Sequence, residues 1–381
     1  MRSARLSTRQ LAASRRSRER GVTLVELMVG LTIGLLATLV ITQVMSVSES
    51  QKRSTTSGSD AQLSGALALF AVERDVKMAG YGFSSTPNAL GCAISATFGG
   101  AAVPDLPAEL VPVSITPGGA GVSDILRILA SNKADFSVPL RVMPPEYKPN
   151  DTTFWVASSR GVAQNDLMLA FVDETQPCML FRVTAPPPVS HVEIPRADDG
   201  GWNAAGFPGI VVGQGSQLLN LGTLLDHTYQ VDAGSAQFQR VTFDTTTRTQ
   251  NTMDIQAGIV LFKAMYGRDT VSTIAQLQAG LGRVDTYDYT TPATPEEWQR
   301  VLALRLVLVA RSGQFEREDV TTTNPLWDVG NATAVAGAAA CGASQCVSLD
   351  VGAGVAGAEA RRYRYKVYDT VVPLINMLWR S

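Results

Sequence analysis

The sequence predicts an α+β protein in which one long, membrane-spanning N-terminal helix is followed by a β-rich, antiparallel globular domain. Three observations predict it. From Val22 to Val47 only Glu26 and Gln43 are more polar than Ser or Thr. A helical pattern then continues to Met78 with no proline before Pro87. Beyond Gly80, short apolar runs alternate with clusters of Gly, Pro, Thr and Asp, the punctuation of strands and turns. A chain of 381 residues has room for one large domain or two modest ones. Its 32 Lys+Arg against 34 Asp+Glu leave no basic footprint for nucleic acid.

The first element is a basic leader. Arg2, Arg5, Arg9, Arg15, Arg16, Arg18 and Arg20 stand against a single acid, Glu19. About 20 apolar helical residues cross a bilayer, so the run after Gly21 is long enough to span one. Arginines stay on the cytoplasmic side, which predicts a single pass of the inner membrane with the N-terminus inside and the large remainder exported. A secretory signal peptide loses its apolar stretch on cleavage. Here the expected cut lies between Gly21 and Val22, ahead of that stretch, and the helix stays in the mature chain. The organisation expected is a cleaved leader over 1–21, a transmembrane and amphipathic helix over 22–79, and an exported domain over 80–381.

The junction Arg20-Gly21-Val22-Thr23-Leu24-Val25-Glu26-Leu27-Met28-Val29 resembles the leader of type IV prepilins and pseudopilins. The resemblance implies cleavage after Gly21 by a prepilin peptidase, methylation of the new amine on Val22, and an assembly role for Glu26 as the fifth mature residue. The one departure is Val22, where the family most often has phenylalanine. Physical chemistry supports a role for Glu26, because an ionisable group near the start of an apolar helix costs roughly 2–3 kcal/mol in a membrane and calls for a partner. The amine of a neighbouring subunit meets that need when helices bundle. Gly30 and Gly34 form a small-xxx-small pair that admits a close helix, a weak signal in an apolar segment.

Past the apolar run, Leu63, Leu67, Phe70 and Val76, with Ala66 and Leu69, recur at helical spacing beside Gln62, Glu73, Arg74 and Lys77, which predicts one amphipathic face packed on the domain. Gly58 and the Ser/Thr residues around it are expected to loosen the helix locally. It should stop at Ala79-Gly80-Tyr81-Gly82, since glycine is the usual helix terminator.

Strands are expected at Ile125 to Leu129, Leu167 to Phe171, Met179 to Val183, Gly209 to Val212, Thr228 to Val231, Gln239 to Phe243, Ile259 to Tyr266, Leu302 to Val309 and Tyr363 to Val372. The alternation from Arg362 to Tyr368 reads as a half-solvated antiparallel sheet. Thr294-Pro295-Glu296-Glu297 predicts a short capped helix. The Gly/Ala-rich stretch from Gly330 to Ala360 reads as a long surface loop.

A narrower resemblance follows from Arg74-Asp75-Val76-Lys77-Met78-Ala79-Gly80-Tyr81, Cys92, the block from Trp298 through Arg305 to Ser312, and the tail from Arg361 to Asn376. These are similar to the PilW family of minor pilins. The resemblance implies a low-abundance subunit that joins other minor pilins and the major pilin through its N-terminal helix, primes assembly, and sits near the tip of a surface filament. J-type pseudopilins of type II secretion systems share the layout.

Cys92, Cys178, Cys341 and Cys346 all lie on the exported side, where disulfides persist. Four cysteines allow three connectivities; Cys341 and Cys346 close a small loop and leave Cys92 with Cys178. A zinc site is disfavoured by a lone Cys-x4-Cys spacing and only two histidines, His191 and His227. Neither histidine sits in a catalytic motif, both are expected at the surface, and no catalytic residue, metal or cofactor is assigned. If Asp226 and His227 lie in a strand, their side chains point to opposite faces. Asp173 and Glu174 offer two acids, which do not make a calcium cage.

Overall fold

The computed structural model describes residues 21–119, 121–133, 138–203, 209–232, 234–331, 335, 337–352 and 357–378 and, of residues 50, 53–57, 357 and 358, the backbone alone. The arginine-rich leader lies outside the described residues. The chain divides into two compact units, Met1–Thr55 and Thr56–Ser381.

Helix α1 runs Leu24–Met78 without a break at Gly58. In the first unit its segment Leu24–Glu49 is long and apolar enough to cross a membrane, and its large side chains are exposed throughout. The end of α1 belongs to the second unit. There Gly80 takes φ +77 and donates its N–H to Leu129 O at 2.8 Å, while the Asn376 side-chain amide donates to the carbonyls of Met78 and Ala79 at 3.1 Å each. The expected glycine stop is thus present, reinforced from the distant strand Ile125–Ala130 and from the short helix Ile375–Leu378.

The second unit is a set of antiparallel sheets around the end of α1. A meander sheet orders its strands Thr249–Ala257, Gln237–Asp244, Leu225–Asp232, Ile125–Ala130 and Val113–Thr116. A central sheet orders Thr286–Asp288, Ile259–Arg268, Val301–Arg311 and Tyr365–Pro373. A flanking sheet orders Ile94–Ser95, Cys178–Arg182, Leu167–Phe171, Gln217–Gly222 and Leu140–Arg141, and its first pair is parallel. One core joins Val72 and Val76 of α1 to apolar residues of all three, among them Leu126, Leu169, Phe238, Phe262 and Leu306.

Two expectations need correction here. Gly209 to Val212 is not a strand; Val212 makes one isolated bridge to Tyr147. The stretch 330–360 is not simply a surface loop. Strands Leu326–Gly330, Ser344–Ser348 and Ala338–Cys341 form a small antiparallel sheet, and Trp327, Val329, Leu349 and Val351 pack with Leu261, Met265, Val307 and Val309 on the face of the central sheet away from α1. The reason is visible in the central strands themselves. Ile259–Arg268 is buried at every position, so both faces of that sheet need cover and it is not half-solvated at its centre.

The short helix at Pro295–Gln299, labelled α3, follows Thr294, whose hydroxyl accepts the Glu297 N–H, while the Glu297 carboxylate accepts from Ala293 N at 2.7 Å, one residue beyond a standard capping box. The preceding helix α2, Ile274–Gln278, carries a complete capping box from Thr273 and Gln276 that sequence reading passed over.

Candidate assembly surface

The start of α1 is organised by Thr23. Its hydroxyl accepts the N–H of Glu26 at 3.2 Å and its carbonyl accepts Leu27 N–H at 3.1 Å, so Thr23 is the cap and Glu26 lies in the first helical turn. An acid there is favoured by the helix dipole as well as by any partner amine. Gly21 and Val22 precede the cap, and their backbone is outside the helix. Gly30 and Gly34 are exposed, with nothing within 4 Å of an added Cβ.

Further along, α1 packs with the opposite face from the one the sequence predicts. Ala61, Gly65, Ala68, Val72 and Val76 turn inward, whereas Leu63, Leu67 and Phe70 are 62%, 48% and 67% exposed. Of the four large residues expected inside, only Val76 is buried. Small side chains let the sheet approach the helix axis. A Cβ on Gly65 would collide with the ring of Tyr368, whose hydroxyl donates to Gln62 O at 2.8 Å. The large residues at i, i+4 and i+7 are left as an apolar stripe on the outer side.

A polar clasp holds this half of the helix to the meander sheet. Asp75 is 8% exposed. Its Oδ2 lies 2.6 Å from His227 Nδ1 and accepts the Tyr229 hydroxyl at 2.8 Å, with Arg240 Nη1 at 3.8 Å. Burial alone would raise the Asp75 carboxyl; the hydrogen bonds from His227 and Tyr229 outweigh it and hold the group below its ordinary value. His227 is therefore not a surface residue, contrary to expectation, because its side chain faces inward from the strand. Asp226 does point to the other face, where Arg127 Nε donates to it at 2.7 Å. His191 is exposed. Sequence reading missed the clasp, although an acid at position 75, on the same side of the helix as Val72 and Val76, was an available signal.

The cysteines form two disulfides, Cys92–Cys178 and Cys341–Cys346. The first ties the chain just after α1 to the flanking sheet; the second links the two strands of the hairpin in the cover over the central sheet. Asp328 lies near the second pair, but sulfurs joined to each other are not thiolate ligands, so the group does not make a metal site. Asp173 is engaged by its own turn, accepting from the backbone N–H and hydroxyl of Thr175 at 2.8 and 2.6 Å.

Comparison with known families places two matches on this architecture. Type IV Pilus-assembly protein W, PilW, matches residues 228–376, and the prokaryotic N-terminal methylation motif matches residues 16–42. The first covers the later strands of the meander sheet, the central sheet and its cover; the second covers the leader junction and the start of α1. The blocks Trp298 to Ser312 and Arg361 to Asn376 fall inside the PilW match, while Arg74 to Tyr81 and Cys92 fall outside it. No curated protein and no solved structure matches the chain. The two family matches support a type IV pilus-related, PilW-like pilin.

Proposed function

We propose that this chain is a minor pilin, cleaved and methylated at Val22, held in the inner membrane by α1 with its N-terminus in the cytoplasm, and incorporated in few copies with other pilins to prime a filament. The observation that carries the assembly reading is the outward stripe of Leu63, Leu67 and Phe70. A helix that buries small residues against its own domain and leaves large apolar ones bare has a second partner to meet. Apolar helices of neighbouring subunits are the partner that the methylation-motif match supports. Low copy number is supported by bulk, since the unit Thr56–Ser381 is large beside a single helix and repeating it along a whole shaft would crowd the filament.

Co-purification from native membranes tests both parts. Other prepilin-type proteins should come out in near-equal amounts, and Leu67→Asp should reduce that recovery at least about tenfold, roughly 1.4 kcal/mol, with the melting temperature of the domain unchanged. Purified filaments made chiefly of this chain would overturn the low-copy reading. Full recovery with Leu67→Asp would overturn the role of the stripe.

A further inference from the structure

Thr249–Ala257 is the outermost strand of the meander sheet and, among the described residues, pairs only with Gln237–Asp244. Its residues from Thr249 to Asp254 are exposed on both faces. Open edges are ordinarily blunted by proline, lysine, bulges or covering segments. Thr249-Gln250-Asn251-Thr252-Met253 has no proline and no charge, and the one bulge in its pairing lies beyond it, opposite Phe238 and Gln239. Two other edges are managed. The far edge of the same sheet, Val113–Thr116, is short and gives the N–H of Ile115 to the Tyr266 hydroxyl at 2.8 Å. The outer strand of the central sheet, Tyr365–Pro373, carries Lys366, Asp369 and a terminal proline.

The turn fixes which groups face outward. Arg248, at φ +58, donates its N–H to Asp244 O at 2.6 Å, and Asp244 stands opposite Thr249. Asp244 Oδ1 also accepts the N–H of Thr246 at 2.7 Å and Thr247 at 3.2 Å, which stiffens the turn. Bonded and non-bonded pairs alternate along an antiparallel ladder. With Asp244 and Thr249 as a bonded pair, Asn251 and Met253 bond inward, while Gln250 and Thr252 direct their N–H and C=O groups to the free edge. The far end of the strand reaches α1, where Gln256 Nε2 donates to Ser64 Oγ at 3.0 Å. The edge is thus continuous with the helix proposed to meet neighbouring subunits.

We infer that this edge accepts an extended strand from a different subunit of the same assembly, an inference that rests on the assembly reading above. Main-chain bonds to Gln250 and Thr252 supply the pairing, and the neutral side chains here suit a partner strand rich in Thr, Asn or Gln with a basic residue opposite Asp254. A second copy pairing through the same edge does not fit. That pairing places a two-fold axis across the sheet and reverses anything lying along its face. Helix α1 lies along that face, held at Ser64 by Gln256 and at Ala71 and Asp75 by Tyr229, so the two helices would run in opposite directions.

Thr252→Pro in the full chain is the test, because it deletes an N–H that the ladder does not use and a proline is tolerated there. The expected result is a melting temperature within about 2 °C of the unaltered protein and at least about a tenfold loss of co-purifying subunits from native membranes. In the unaltered chain, the amides of Gln250 and Thr252 should exchange with solvent at least about tenfold more slowly in the recovered assembly than in the protein alone. Should Thr252→Pro lower the melting temperature, the exchange measurement decides. Recovery at the unaltered level, or equal exchange at both amides, overturns the proposal. A dimer of this chain alone that protects the same amides overturns the choice of partner. Loss of recovery with Leu67→Asp but not Thr252→Pro removes the edge and keeps the assembly reading; full recovery with Leu67→Asp removes the stripe, and the edge is then decided by Thr252→Pro and the exchange at Gln250 and Thr252.

Discussion

On the proposed cleavage after Gly21, individual residues carry two separable demands, processing and adhesion of the helix to its domain. Gly21 and Val22 stand ahead of the cap at Thr23, outside the helix, and a peptidase acts on backbone free of helical hydrogen bonds more readily than on a hydrogen-bonded turn. Gly21→Leu should therefore block processing, leaving the seven leader arginines on the membrane-extracted protein, as intact mass or N-terminal sequencing will show. Asp75 answers the second demand. Its carboxyl is held below the ordinary value of 3.8, so it contributes stability at pH values above 3.8, and that contribution is lost as pH falls through the lower folded-state value. Asp75→Asn should cost about 1–3 kcal/mol at neutral pH, and denaturant titrations of variant and parent should converge only in strong acid. A constant gap down to that acid range would mean that the charge of Asp75 contributes nothing.

At the scale of the element, α1 has two jobs divided along its length and around its circumference. Its membrane-capable part is Leu24–Glu49, and its later turns are a structural member of the second unit. The expected division at residue 80 marks the end of the helix, while the compact unit starts at Thr56. A chain beginning at Thr56 should fold cooperatively, and one beginning at Gly80 should not. The shorter chain loses Val72 and Val76 from the core, each worth about 1.5–3 kcal/mol when fully buried, and strips the cover from Tyr229 and Phe238. Circular dichroism and thermal melts of the two chains distinguish the outcomes. The strand Thr249–Ala257 escaped sequence reading for a related reason. An edge open on both faces has no buried side to impose alternation, so its residues read as polar loop.

For the whole molecule, the family match spans the later strands of the meander sheet, the central sheet and its cover, and the packing of the small cover assigns it a part in stability. Trp327 is 1% exposed and packs over the central sheet, with Arg305 above its ring at 5.5 Å; Arg305 also pairs with Asp369 and is pushed above its ordinary value by that bond. Trp327→Ala should destabilise the domain by about 3–5 kcal/mol in denaturant titrations. Its recovery with other subunits under stabilising conditions should remain, because the stripe on α1 lies across the central sheet from the cover. A mild effect below about 1 kcal/mol would make the cover a peripheral ornament of the fold.

By itself the sequence determined the long apolar helix, its stop at Gly80, most of the long strands and the identity of the junction around Gly21, because each is a local pattern of polarity, glycine or charge. The tertiary structure alone decided which face of α1 is inside. Both faces carry helical periodicity, and the choice depends on how closely a sheet can approach, a question settled by Gly65 beneath Tyr368 at a separation of some 300 residues. It likewise decided that a Gly/Ala-rich stretch becomes a cover, since its few large residues acquire meaning only from the apolar face of the central sheet that they meet. Periodicity records that a side chain is to be buried; the partner that buries it is a long-range fact, written in packing geometry rather than in neighbouring residues.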